Sequence, residues 1–231
     1  EPGDDAVVVA VNPDAMGILP SYDFSEAKTI VSVGADFLNS WLMPTMFAPQ
    51  YASRRNPDGE WMSKHFQFES MMSITGSNAD TRAVIKPSEQ ANVLAYLLGK
   101  FGVSTSVSTK LSSSAEKAAN DAYHALKSTK DHSLVVCGSN DVDTQILCNK
   151  LNSVVGAYNK TINVNNPVNL FMSDDKAMHQ FAEDVANGNG PDAVIFYGAN
   201  PVYTLPNGKK FAKGLKKIKT SVSMALYEDE T

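Results

Sequence analysis

The chain has 231 residues, of which 43% are hydrophobic and 19% are charged, and this composition is sufficient to bury a sizeable core. Its formal net charge of −5 argues against a general nucleic-acid binder, whose surface is basic. No apolar run approaches the roughly 18 residues that span a bilayer, and two cysteines are too few for a disulfide scaffold or an iron–sulfur cluster.

The first third of the chain predicts short strands separated by glycine and proline turns. Residues 6–11 are a β-branched run, and residues 29–36 form a second strand that ends in the turn Gly34-Ala35-Asp36. Residues 37–47 are aromatic and rich in methionine, where Pro44 is expected to limit any helix, and residues 51–59 predict a polar loop. Strands follow at 64–70 and 81–86, with a loop at 71–80 between them. Because a strand begins close to residue 1, we expect the sequence to be part of a longer chain.

The remaining two thirds alternate between helices and strands. A helix is predicted from Pro87 to Phe101, and the Ser/Thr-rich segment 103–114 is the expected linker. The later helices are predicted at 115–129, 141–158, 174–187 and 209–218, and the later strands at 133–138, 161–164, 193–198 and 221–227. Such alternation predicts parallel βαβ units with right-handed crossovers. We therefore expect a doubly wound α/β fold of mainly parallel sheets with helices on both faces, divided into two Rossmann-like halves, 1–104 and 105–231.

Three strand-end turns are the first candidates for a site. They are Gly34-Ala35-Asp36, Cys137-Gly138-Ser139-Asn140-Asp141 and Gly198-Ala199-Asn200-Pro201. In open α/β sheets, ligands bind at the carboxyl ends of strands, so each turn is either the floor of a site or a well-formed turn. None of them is a GxGxxG or a phosphate-binding loop, which argues against an ordinary dinucleotide or nucleoside triphosphate site. The turn at Gly138 fits either anion binding or simple helix capping.

Titratable side chains give weaker signals. His65 and Glu69 share one face of a strand by parity, and they fit either an acid–base pair or a half-exposed pair on an edge strand. No two of the four histidines have the spacing of metal ligands, so no metal site and no catalytic residue is predicted. Cys137 and Cys148 are expected to be buried, unpaired thiols, although the sequence leaves open whether they approach each other.

Two clusters of similar side chains allow both a structural and a binding interpretation. A basic helix carries Lys209, Lys210, Lys213, Lys216, Lys217 and Lys219, which fits a solvated face or a docking face for an acidic partner. Six methionines, Met16, Met43, Met46, Met62, Met71 and Met72, fit core packing or an adaptable interface.

Two segments of the chain, 30–42 and 65–82, resemble the molybdopterin oxidoreductases. More narrowly, they are similar to the large iron–sulfur subunit of alternative complex III, a bacterial quinol:electron-acceptor oxidoreductase. The junction Ile85-Lys86-Pro87-Ser88-Glu89-Gln90-Ala91 and the turn Gly198-Ala199-Asn200-Pro201 also match that family. The resemblance extends from about residue 20 to residue 231.

The chain departs from the family where the family holds its cofactor. There, a Gly-x-Asn-Pro turn and an Asp-Pro-Arg segment hold the guanine nucleotide of the pterin, whereas this chain has Gly34-Ala35-Asp36-Phe37 and Glu69-Ser70-Met71. Methionine does not replace the charge-assisted contact of an arginine. The resemblance therefore implies a degenerate cofactor pocket made by Gly34, Asp36, Glu69, Gly138, Gly198 and Asn200.

The resemblance implies a scaffold domain of a respiratory quinol:electron-acceptor complex that is not itself catalytic and holds no cofactor. Iron–sulfur clusters are expected only outside this sequence. The implied partners are cytochrome c and membrane subunits, and the implied location is the periplasmic face of the bacterial inner membrane. The location rests on the resemblance alone, because the chain opens without a signal peptide. Two alternatives stay open: a catalytic domain with a molybdopterin guanine dinucleotide across Gly34, Glu69, Gly138 and Gly198, and a nucleotide or small-molecule binding module.

Overall fold

The structure is a computed structural model that describes residues 18–168, 170 and 174–231. The chain forms two compact units, Glu1–Phe171 and Met172–Thr231, and each has a core of its own. The strand predicted at residues 6–11 lies outside the described residues.

The first unit is built from six strands and five helices among its described residues. The strands are β1 (Ser21–Tyr22), β2 (Thr29–Val33), β3 (Lys64–Glu69), β4 (Thr81–Val84), β5 (Ser133–Cys137) and β6 (Ile162–Asn163). The helices are α1 (Pro44–Ser53), α2 (Ile74–Ser77), α3 (Gln90–Lys100), α4 (Ser113–Ser128) and α5 (Val142–Val155), and a 3₁₀ turn at Pro87–Glu89 precedes α3.

A four-stranded parallel sheet with the order β4-β3-β2-β5 is the centre of this unit. Val31 pairs with Phe66 on one side and with Val135 on the other. Every residue of β2 and of β5 is buried, as expected for apolar strands of a parallel sheet that helices flank. The strand order changes direction between β2 and β5, which is the topology of a doubly wound sheet. The predicted α/β fold class is confirmed.

Helix α1 forms where Pro44 was expected to limit any helix, and it extends into the segment 51–59 that was expected to be a polar loop. Pro44 lies at the start of the helix, where a main-chain N–H would have no acceptor within the helix, so its absence costs no hydrogen bond. The fixed φ of proline also favours the first turn. Phe47 and Tyr51 are one turn apart and both are buried. They join an aromatic cluster in which Phe24 stacks on Phe37 with ring centroids 4.3 Å apart. The proline therefore begins the helix rather than preventing it.

Two other segments differ from their predicted form. The predicted loop at 71–80 contains helix α2, whose first turn is capped by the Ser73 hydroxyl accepting from the Gly76 N–H at 2.8 Å. The predicted strand at 161–164 is only β6, and it pairs antiparallel with β1 instead of joining the parallel sheet. The hydroxyl of Thr161, just before β6, donates to the Ser133 carbonyl at 2.7 Å.

The remaining helices of the first unit follow the predicted pattern within a few residues. Helix α4 is capped by Ser112 and buries an alanine-rich face, and α5 is capped by Asp141 and ends at Gly156. The predicted linker 103–114 lies within this unit, where Val103, Val107 and Leu111 pack against its core. Strand β5 follows the predicted boundary at 104/105 and pairs with β2, which precedes it, and the two compact units are Glu1–Phe171 and Met172–Thr231.

The second unit contains α6 (Asp175–Asn187), β7 (Ala193–Phe196), α7 (Pro201–Thr204), α8 (Gly208–Leu215) and β8 (Thr220–Ser223). Strands β7 and β8 are parallel, with Ile195 opposite Val222. The buried core is small and consists of Ala182, Val185, Phe196, Phe211 and Leu215. All six lysines of the basic segment are exposed, and Lys216, Lys217 and Lys219 follow the end of α8 at Leu215. This exposure fits a solvated face and a docking face equally.

Among the described residues, no helix is long and apolar enough to cross a membrane.

Candidate functional site

Four of the six predicted site residues meet at one place, the carboxyl edge of the four-stranded sheet. Gly34 and Asp36 follow β2, Glu69 is the last residue of β3, and Gly138 follows β5. β2 and β5 are the neighbouring strands between which the strand order reverses. In doubly wound sheets this reversal opens the crevice where ligands usually bind.

The main chain fills this crevice at Gly34 and Gly138. A Cβ atom on Gly138 would overlap the carbonyl of Gly34, so these two turns are packed main chain against main chain. Gly34 has φ +69°, which favours glycine, and a Cβ atom there would overlap the Gln90 side chain amide. The Gly34 N–H donates to the Phe68 carbonyl at 2.8 Å, and the Gly138 N–H donates to the Val33 carbonyl at 2.9 Å. Both amides are therefore used by the sheet itself.

Asp36 ties the turn after β2 to helix α2. Its Oδ1 accepts from the Thr75 hydroxyl at 2.6 Å and from the Thr75 N–H at 3.0 Å. Its Oδ2 accepts from the Asn39 side chain at 3.1 Å. Since both carboxylate oxygens have donors within the protein, Asp36 acts as a structural clamp at this edge.

Glu69 is the most heavily bonded group of the edge and is 5% exposed. Oε1 lies 2.5 Å from Arg82 Nε and 3.2 Å from the Ser73 N–H, and Oε2 accepts from the Ser73 hydroxyl at 2.6 Å and from Gln67 Nε2 at 3.1 Å. Burial alone raises the pKa of Glu69, but these donors outweigh it and hold the pKa below its ordinary value. The carboxylate is charged at neutral pH and is neutralised by Arg82.

His65, Gln67 and Glu69 form a buried row along one face of β3. Gln67 Nε2 faces two acceptors, Glu69 Oε2 and the Ala35 carbonyl at 3.4 Å, so its Oε1 must face His65 Nε2 at 3.3 Å. This contact favours the imidazole proton on Nε2, while Nδ1 lies 3.1 Å from the Tyr51 hydroxyl, whose single proton also faces the Asn78 carbonyl at 2.9 Å. Burial lowers the pKa of His65 to about 4, so the ring is neutral at pH 7.

The row differs from both interpretations of the His65 and Glu69 pair. Strand β3 lies inside the sheet and His65 is fully buried, so a half-exposed pair on an edge strand is wrong. The two side chains do not touch, because Gln67 bridges them. Both ring nitrogens of His65 have protein partners, so the geometry makes the histidine a positioning group within β3.

Gly198 and Asn200 lie in the second unit, after β7. Gly198 has φ +62° and its Cα faces open space. Asn200 donates to Glu230 Oε2 at 2.6 Å and accepts from the Thr231 hydroxyl at 2.7 Å. Asn200 thus fastens the last residues of the chain to the start of α7.

The cysteines and the acidic groups do not form a metal centre within the described part of the chain, since no three potential ligands cluster there. Cys137 and Cys148 are both buried and unpaired, as expected. Burial raises the pKa of Cys137 to about 12 and that of Cys148 well above its ordinary value, so both are thiols rather than thiolates at neutral pH.

Sequence reasoning missed the basic residue of this edge, Arg82. The family resemblance places an arginine at the position of Met71, shortly after Glu69, whereas in the structure the positive charge beside Glu69 comes from Arg82 on the neighbouring strand β4. Strands at 64–70 and 81–86 were both predicted, and placing them side by side would have brought Arg82 next to Gln67, its partner in the register. Ser73 and Thr75 were hidden in a segment predicted as loop.

The fold and this edge define the class as a doubly wound α/β domain with its strand-reversal point closed. No family model matches the chain. In a comparison with curated proteins, the chain is 28% identical over 249 aligned residues to the menaquinone reductase, molybdopterin-binding-like subunit of Nitratidesulfovibrio vulgaris. The alignment covers 91% of this chain and 36% of the relative, so the chain spans about a third of the relative's length. This similarity supports the predicted resemblance to molybdopterin-like oxidoreductases at the coarse level, and not the specific subunit of alternative complex III.

At Gly34 and Gly138, the carboxyl edge of the first unit offers no free main-chain N–H to the pyrophosphate of a pterin dinucleotide. A pyrophosphate needs free N–H donors and cationic groups, but the amides of Gly34 and Gly138 are bonded within the sheet and Arg82 is bonded to Glu69. Asp36 would add a like charge beside the anion, and Glu69 would add another if the anion drew Arg82 away from it.

Proposed function

We propose that this chain is a cofactor-free scaffold domain, related to the molybdopterin oxidoreductases, in a membrane-associated respiratory complex that exchanges electrons with a quinone. In this role the domain is not itself catalytic. It supports electron transfer through a separate iron–sulfur domain and contacts neighbouring subunits.

The observation that carries the proposal is the closed strand-reversal point. A molybdopterin guanine dinucleotide lying across these turns would need space for its pyrophosphate there. Here the Gly34 and Gly138 turns touch each other, and Gln90 fills the space above Gly34. A ligand would have to displace main chain on one side and a side-chain amide on the other, which favours a turn retained for packing.

Charge supports the same conclusion. Arg82 is the cation paired with Glu69 at the carboxyl edge, at a distance of 2.5 Å. A phosphate that recruited Arg82 would leave a buried carboxylate without its cation, and breaking a buried pair in this way costs about 3 kcal/mol. The site is better suited to its own internal network than to an anionic cofactor.

The respiratory assignment follows from the relative and from the resemblance noted in the sequence. The relative is named a menaquinone reductase subunit. We propose menaquinone or its quinol as the substrate of the complex, and a role like that of the alternative complex III subunit. We further propose cytochrome c and membrane subunits as partners and the periplasmic face of the bacterial inner membrane as the location.

The experiment is a cofactor analysis of the full-length protein purified in its complex. Molybdenum and tungsten are measured by mass spectrometry, oxidised pterin by fluorescence after acid extraction, and nucleotides by chromatography of the same extract. We expect none of the three in stoichiometric amount. One metal ion and one pterin per chain would overturn the scaffold proposal in favour of a catalytic domain, and one nucleotide without metal would overturn it in favour of a nucleotide-binding module.

A further inference from the structure

A second groove lies at the opposite, amino-terminal edge of the four-stranded sheet. Its floor is formed where β2, β3 and β4 begin, and its walls are the segment before β3 and the exposed face of α4. Its volume is about 540 Å³, within the range of small-molecule sites. We call it the amino-edge groove, and the residues that matter most are Lys28, Trp61, Lys64, Thr81, Asp121 and His124.

Two ammonium groups are held in this groove by aromatic rings. Lys28 Nζ lies 5.5 Å from the centre of the Trp61 ring, and Lys64 Nζ lies 5.3 Å from the centre of the Phe66 ring. Among the described residues, no carboxylate oxygen lies within 4.0 Å of either ammonium. Both charges are thus positioned but not neutralised within the part of the chain that the structure describes.

The rest of the lining adds polar donors and one opposing charge. His124 presents an imidazole from the α4 wall, and Thr81 adds a hydroxyl at the start of β4. Asp121 is the carboxylate among the lining residues, so the lysines outnumber the acids two to one. Arg54 stacks on Trp61 with its guanidinium carbon 4.3 Å from the ring centre and adds positive charge behind the wall.

An excess of positive charge at one place on a chain of net charge −5 indicates an anionic ligand. Lysine binds phosphate as a point charge, and imidazole and hydroxyl groups complete the donor set that phosphate oxygens accept. We propose that the amino-edge groove binds a phosphate-bearing ligand. This proposal concerns the edge of the sheet opposite to the closed strand-reversal point and does not rest on the function proposed above.

The phosphate group that binds in the amino-edge groove could belong to a soluble metabolite or to a phospholipid headgroup. The test uses the full-length protein in its complex and titrates inorganic phosphate and pyrophosphate by calorimetry. In a parallel arm, the protein is sedimented with phosphatidylglycerol vesicles and with phosphatidylcholine vesicles. Binding to free phosphates supports a soluble ligand, and binding to phosphatidylglycerol vesicles alone supports a headgroup.

The variants are Lys28→Ala, Lys64→Ala and the double substitution. Each single substitution is expected to weaken binding about tenfold, the loss of one charge-assisted contact, and the double to abolish measurable binding. Lys100→Ala is the matched control, because Lys100 Nζ also lies 5.3 Å from an aromatic ring, that of Tyr96, but outside the groove. Circular dichroism of each variant checks that the fold is intact.

Three results would overturn the proposal. One is equal binding by the double variant and the wild type, and another is equal weakening by Lys100→Ala. The third is no binding of free phosphates below about 10 mM together with no preference for phosphatidylglycerol, even if an acidic peptide binds. None of these results alters the metal and pterin analysis, so the two proposals fail separately.

Discussion

Glu69 accepts from Arg82, Ser73 and Gln67 while it is almost completely buried. A buried carboxylate in this position depends on all of its donors, because each lost donor leaves charge in a medium that solvates it poorly. The side chains of His65, Gln67 and Glu69 therefore form one hydrogen-bond network in which each depends on its neighbour.

Replacing Arg82 by methionine keeps the apolar stem and removes the cation. We expect Arg82→Met to lower the free energy of unfolding by about 3 kcal/mol, because Glu69 is then buried without its counter-charge. Adding Glu69→Gln to Arg82→Met is expected to restore part of the loss. Urea unfolding at pH 7 measures the wild type and both variants, and an effect below about 0.5 kcal/mol for Arg82→Met would contradict the description of a buried pair.

The lowered pKa of His65 predicts that the folded chain loses stability in mild acid. Its pKa is about 4 in the folded chain and 6.5 as an unperturbed side chain, so the unfolded chain binds the proton first as the pH falls. Stability from this group is present above pH 6.5 and is lost between pH 6.5 and 4, by about 3 kcal/mol in total. Glu69 and Asp80, whose pKa values are lowered, add their loss only as the pH falls below their ordinary values.

The measurement is urea unfolding at half-unit steps between pH 7 and 4.5. His65→Gln should flatten the slope of stability against pH above pH 4.5, whereas His179→Gln, on the exposed face of α6, should leave the slope as in the wild type. Identical slopes for His65→Gln and wild type would show that the buried imidazole is not the responsible group.

At the scale of elements, the two strand-end turns at Gly34 and Gly138 determine how closely β2 and β5 approach at their carboxyl ends. Gly138→Ala is expected to destabilise the chain by about 2 kcal/mol, since the new methyl group overlaps the Gly34 carbonyl. Gly99→Ala is the matched control, because nothing lies within 4 Å of the Cβ position there, and alanine favours helix α3 by about 0.5–1 kcal/mol. Chemical unfolding of both variants should move the midpoint in opposite directions, and a shift in the same direction would contradict this steric account.

The sequence predicted the elements best where its signals were local and periodic. Strands β2, β3 and β5 are continuous apolar or alternating runs, and α4 and α5 have capping residues at their starts. The prediction that Pro44 limits the helix was wrong, because proline disfavours a helix interior but favours the first turn. The short β6 was placed in the parallel sheet because periodicity does not report which strand is the partner, and that pairing depends on β1 about 140 residues earlier.

The sequence predicted which residues lie at the candidate site but not which side chains contact them. Gly34, Asp36, Glu69 and Gly138 do meet at one edge, because the ends of adjacent parallel strands converge there. Their partners Arg82, Thr75 and Gln90 come from other elements, so the sequence alone did not reveal that the edge is closed.

At the scale of the whole molecule, the two compact units have cores of very different size. The core of the second unit has five buried apolar residues centred on Phe211, whose ring packs edge-on against Phe181 and Phe196. A small core gives a small stability margin.

Phe211→Ala is therefore expected to destabilise the second unit by about 3–4 kcal/mol through the lost ring and the cavity left behind. Hydrogen exchange should accelerate in α6, β7 and α8 and stay slow in β2 and β5. Tyr203→Ala removes a ring that is 73% exposed and should leave both units protected. Equal loss of protection in β2 would mean that the two units unfold together.

The contact between the Gly34 and Gly138 turns also affects how related sequences are interpreted. Glycines at the reversal point of a doubly wound sheet are usually taken as a fingerprint of nucleotide binding. In this chain, steric exclusion by neighbouring main chain is sufficient reason to retain them. Glycine at these two positions therefore does not by itself identify a nucleotide site, because packing of the two turns already requires it.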